Sequence, residues 1–62
     1  MKKIKQLREQ IGMTQKELAN LADISAPFLL DLERGNRGAK PETLKRIADA
    51  LGVEVNDLSA DE

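Results

Sequence analysis

Two helix starts lie only eleven residues apart in this chain, at Thr14 and Ser25, and their closeness limits the fold more than any other feature. Thr14-Gln15-Lys16-Glu17 fits a capping box, in which the Thr14 hydroxyl accepts from the Glu17 amide and the Glu17 side chain reaches back to the Thr14 amide. Ser25 is a second N-cap, and Pro27 falls early in the following turn, where a missing amide proton costs little. Leu18, Ala19 and Ala22 give the helix begun at Thr14 a narrow buried stripe, and its end is expected near Leu21 or Ala22. That leaves Asp23-Ile24 for a tight turn, with Ile24 pointing inward. The helix begun at Ser25 points Leu29 and Leu32 inward, three positions apart, and Gly35 closes it in the left-handed conformation.

The flanking segments continue the helical pattern. Ile4, Leu7 and Ile11 share one face of a first helix that Gly12 stops, and Met13 is a buried connector. After a loop of Asn36, Arg37, Gly38, Ala39 and Lys40, Pro41 suits the first position of a fourth helix. Glu42 lies against that helix's positive end, and Leu44, Ile47, Ala48 and Leu51 form its buried stripe. Gly52 ends it. Val53, Val55 and Leu58 then predict a short fifth helix capped by Asn56, with an acidic, frayed tail over 59–62. No strand pattern or repeat interrupts this, so the expected fold is all-α: five short helices in a single domain over 1–62, organised on a core at 14–34.

Composition then narrows the function. Sixty-two residues make one small domain, and no second domain to hold a catalytic cleft is expected. Cysteine and histidine are both absent, which removes disulfides, Cys or Cys/His zinc sites and His- or Cys-based catalysis, so no enzyme, metal or cofactor is expected. No apolar run approaches the roughly 18 residues of a membrane span, and MKKIKQLRE is not a signal peptide, so a cytoplasmic protein without a membrane partner is expected. The net charge of −1 hides an asymmetry: residues 1–46 hold all ten Lys and Arg against six acids, while 47–62 hold five acids and no base. A basic surface for nucleic acid is therefore available in the first part despite the acidic average.

Arg8, Thr14-Gln15-Lys16-Glu17-Leu18-Ala19, Ile24-Ser25, Leu29, Leu32, Glu33-Arg34-Gly35, and Thr43-Leu44 through Ile47-Ala48 to Ala50-Leu51-Gly52-Val53 follow one another in a distinctive order and spacing. That pattern, over about residues 4–58, closely resembles the helix-turn-helix of the Xre and Cro repressor-like family. The resemblance implies a repressor-like DNA-binding domain that regulates transcription by binding double-stranded DNA sequence-specifically, with the helix over 25–34 in the major groove. It also implies a structural charge pair between Arg8 and Glu33, and a phosphate contact from Gln15 at the positive start of its helix, with Lys16 beside it. Arg34, Asn36, Arg37, Gly38 and Lys40 form a basic, glycine-containing loop able to follow a DNA strand, with Lys45 and Arg46 as outlying contacts. A homodimer on a two-fold site is the expected assembly, formed through Val53, Val55 and Leu58 or only on the DNA.

The reading helix departs from the family pattern. The positions that meet base edges in the family are Ala26, Pro27, Phe28, Leu30 and Asp31 here, and the first four cannot donate a side-chain hydrogen bond. Ala26, Pro27 and Phe28 can pack on thymine methyls and Asp31 can accept from a cytosine amino group, so specificity is expected to come from methyl contacts, shape and DNA deformability. Leu21, Phe28 and Leu30 also allow a different reading. As an exposed apolar patch they suit a protein partner or a second copy, which would make the domain a protein-interaction module, antitoxin-like or a regulatory subunit.

Overall fold

The computed structural model describes residues 1–58, and the expected acidic tail over 59–62 lies outside them. Five helices follow in order: α1 (Lys2–Gln10), α2 (Gln15–Leu21), α3 (Ala26–Arg34), α4 (Pro41–Leu51) and α5 (Val55–Leu58). There is no strand among the described residues. Helix α2 packs on α3 and α4, α1 on α3 and α5, and α5 on α4. Ile4, Leu18, Ala19, Ala22, Leu29, Leu32, Ile47, Ala48, Leu51 and Leu58 meet in one core, with Met13, Ile24 and Leu44 half-buried around it. The alanines of α2 and α4 in that set let helix backbones approach closely enough for so short a chain to exclude water.

The starts of the middle helices are fixed as their sequences require. At α2 both halves of the capping box form: the Glu17 amide donates to Thr14 Oγ1 at 3.1 Å, and the Thr14 amide donates to Glu17 Oε1 at 2.8 Å. The second bond holds the Glu17 carboxyl below its ordinary pKa, because a backbone amide favours the charged form. At α3 the Phe28 amide donates to Ser25 Oγ at 3.2 Å. Pro41 opens α4.

The helix ends share one device. In α1 to α4, one amide just past the helix bonds back across six residues and the one before it across a shorter ring. Met13 to Arg8, Ile24 to Ala19, Asn36 to Asp31 and Val53 to Ala48 are the longer closures, at 3.0, 2.9, 2.9 and 2.9 Å. Such a closure needs a left-handed residue at its corner. Gly12, Gly35 and Gly52 fill three of the corners, and the fourth is Asp23 with φ of 58°, a conformation that Asp tolerates better than most side chains. Asp23 is what makes the α2–α3 turn so short.

Two expectations from the sequence are corrected. Ile11 is not on the buried face of α1 but 54% exposed, because the helix closes at Gln10 and the chain swings away at Gly12. Asn56 does not cap α5. That helix begins at Val55, after the Glu54 amide donates to Asp57 Oδ2 at 3.0 Å, so Asn56 lies inside its first turn.

Candidate nucleic-acid interface

The charge pair expected between Arg8 and Glu33 forms and fixes α3 against α1. Arg8 Nε donates to Glu33 Oε2 at 2.8 Å and Nη2 to Oε1 at 3.2 Å, while Nη1 donates to the Met13 carbonyl at 2.9 Å. The side chains are only 9% and 2% exposed, and the hydrogen bonding to the Glu33 carboxylate holds the guanidinium above its ordinary pKa against the opposing effect of burial. Gln15 joins the pair, its Nε2 donating to Glu33 Oε1 at 3.0 Å. The start of α2 is thus tied to the end of α3 as well as to α1. No buried side-chain nitrogen or oxygen among the described residues lacks a partner.

With its inner face held by Leu29 and Leu32 and its last turn by Glu33, α3 offers the opposite side to solvent. Pro27 is exposed, and Ala26, Phe28, Leu30 and Asp31 are half-buried. Four of these five side chains, all but Ala26, divide between two depressions. Ser25, Pro27, Phe28, Asp31 and Arg37 line a shallow notch on the outer face. Leu30 instead lines a groove with Lys2, Lys5, Gln6, Gln15 and Arg34, among others, where α3 passes α1 and the start of α2. Leu21 is 62% exposed, the most exposed large apolar side chain among the described residues. Phe28 and Leu30, which the sequence groups with it, face different depressions and are half-buried.

The basic residues also divide. Lys16, Arg34, Asn36, Gly38 and Lys40 are exposed. Arg37 is turned back onto α3, with Nε 3.5 Å from Asp31 Oδ2 and Cζ 5.5 Å from the centroid of the Phe28 ring. Lys45 pairs with Asp49 at 3.3 Å on α4. Arg46, an outlying DNA contact by sequence, donates from Nε to the Ala22 carbonyl at 3.0 Å and satisfies an otherwise open acceptor at the end of α2. Neither that bond nor the Gln15 bond to Glu33 has a short-range sequence signature, since their partners lie 24 and 18 residues apart. The turn of Arg37 toward Phe28 has a weak one: a cation a few residues past a helix bearing a ring and an acid one turn apart on its outer side.

No helix among the described residues is long and apolar enough to cross a membrane. A family model described as helix-turn-helix matches residues 4–58, from the first turn of α1 to the end of α5. An HTH-type transcriptional regulator of Deinococcus deserti, DdrOP3, is 41% identical over 56 residues, which cover 90% of this chain and 43% of that protein. The immunity repressor protein of Bacillus phage phi105 is 35% identical over 60 residues, 97% of this chain and 42% of the repressor. The control protein C.BamHI of Bacillus amyloliquefaciens is 35% identical over 57 residues, 90% of this chain and 70% of its own length. The chain thus spans less than half of the first two relatives.

Proposed function

The chain belongs to the helix-turn-helix family, and from that membership we propose that it binds double-stranded DNA sequence-specifically and regulates transcription, with α3 in the major groove and no catalytic step. The observation that carries the reading is the locked α2–α3 unit: the Arg8, Gln15 and Glu33 cluster orients α3 so that its outer face and the cations at its end point to solvent together. Lys16, Arg34 and Lys40 would neutralise phosphates, helped by the Asn36 and Gly38 backbone and by the amides at the start of α2 beside Gln15. Ala26, Pro27 and Phe28 would meet thymine methyls in the groove, with Leu30 at the edge of the contact. One such helix covers few base pairs, so a homodimer on two half-sites about one helical turn apart would supply the remaining discrimination. Of the three residues expected at its interface Leu58 is taken up in the core, which leaves the half-buried Val53 and the exposed Val55 available to it, in a cytoplasmic protein.

Binding to a duplex of random sequence is the test. Three phosphate-contacting cations give an expected log-log salt slope of roughly −2.7 per chain, so affinity falls about 40-fold between 50 and 200 mM salt, and more steeply for a dimer. A flat profile would favour the protein-interaction reading, to which the exposed Leu21 lends support.

A further inference from the structure

We propose that Arg37 reads a base, directed by Asp31 and Phe28 at a guanine in the major groove, and is not one of the phosphate contacts; the inference rests on α3 lying in that groove. Position in the chain groups Arg37 with the basic loop. Its side chain is placed otherwise, closing one end of the notch whose other walls are Ser25, Pro27, Phe28 and Asp31.

The chemistry of that notch is incomplete without it. Pro27 and Phe28 offer no side-chain hydrogen-bond donor, the Ser25 hydroxyl, which caps the helix by accepting from the Phe28 amide, has a single O–H, and Asp31 when ionised only accepts, so none of them presents a pair of donors. Arg37 brings a guanidinium onto the same face, and it is the one cation placed there among the described residues. The contact with Asp31 engages Nε, which leaves the terminal Nη1 and Nη2 pair as a fork. Two parallel N–H groups match the O6 and N7 acceptors of guanine, and no other base presents two acceptors side by side in the major groove.

Asp31 and Phe28, one helical turn apart on α3, hold the guanidinium by its Nε edge and by its face. Each contact is weak because the side chains are exposed, 61% for Arg37 and 42% for Asp31. Together they narrow the orientations of a side chain that would otherwise lose several rotamers' worth of entropy on binding. They also account for an acid on a surface offered to polyanionic DNA, since Arg37 offsets its charge. Asp31 is then a positioning residue for Arg37 and need not contact a base itself.

The experiment selects bound duplexes from a library with a randomised centre, for the parent, Arg37→Lys, Arg37→Ala and Asp31→Asn, then measures each protein on the parent's selected duplex across a salt series. Lysine keeps the charge but loses the fork. Arg37→Lys is expected to lose guanine preference at one half-site position, by roughly 5- to 150-fold, with the parental salt slope. Arg37→Ala loses the same preference. Asp31→Asn loses part of it while binding all duplexes more tightly. Circular dichroism melts should be parental, since these side chains lie on the surface. The inference is overturned if Arg37→Lys keeps the guanine preference, if Arg37→Ala shallows the slope by about 0.9 without changing the preferred sequence, or if the parent selects no guanine. Failure of the parent to bind any duplex at low salt would overturn the DNA-binding reading as well, so the two failures are distinct.

Discussion

Replacing Glu33 with alanine is expected to cost about 3 kcal/mol of folding stability. The carboxylate is 2% exposed and accepts three hydrogen bonds, two from Arg8 and one from Gln15. Its removal strands the Arg8 guanidinium in a site shut off from water, where the desolvation already incurred is no longer offset by the opposite charge. A chain of this size has a total stability of roughly 3 to 9 kcal/mol, so the loss is about a third of the whole or more. The thermal midpoint should fall by roughly 12 to 24 °C. Removing both charges is expected to be milder: Arg8→Met with Glu33→Leu fills similar volume and leaves no buried ion, and should recover at least half of the loss. Urea melts of the three proteins check this, and a Glu33→Ala variant within about 0.5 kcal/mol of the parent would mean that water reaches the pair.

Leucines at 29 and 21 should respond in opposite ways to the same truncation. Leu29 is fully buried between α3 and its neighbours, and Leu29→Ala is expected to destabilise by about 3 kcal/mol through lost transfer energy and the cavity left behind. Leu21 is 62% exposed at the end of α2, so Leu21→Ala should move stability by no more than about 0.5 kcal/mol. The second variant also bears on function. Leu21→Ala should bind DNA as the parent does if α3 is the reader, whereas a protein-interaction module would lose its most exposed apolar contact.

What the sequence made legible was what short-range chemistry determines. The capping box, the Ser25 cap, the glycine corners and the three- and four-residue apolar spacings placed the helices, because each depends on residues within about one turn of one another. The Arg8–Glu33 pair spans 25 residues and was legible only through the resemblance to a known family. Ile11 was misplaced because periodicity does not say on which turn a helix stops. Asn56 was misplaced because two acceptors, Asn56 and Asp57, compete to start one short helix, and Asp57 reaches the free Glu54 amide. The left-handed Asp23 escaped for a related reason: Asp is common in turns of several kinds, and its φ follows from the Ile24-to-Ala19 closure that the packed helices impose. At the candidate interface, residue types identified a basic loop and an apolar helix face but not how they fold together. The Arg37 contacts with Asp31 and Phe28, and the diversion of Arg46 to the Ala22 carbonyl, arise from tertiary placement.

The most direct measurement is a titration of the nitrogen-15-labelled chain with its selected duplex, followed amide by amide in the NMR spectrum. With α3 lying in the major groove, the largest shifts should fall at Ser25, Ala26, Phe28 and Asp31, at Asn36 to Lys40, and at Gln15 and Lys16, while the amides of Asp49 and Ala50 on α4 stay nearly still. If the amides of Ala26, Phe28, Leu30 and Asp31 do not move while the duplex binds, or if the shifts gather around Leu21 instead, then α3 is not the element that meets the DNA.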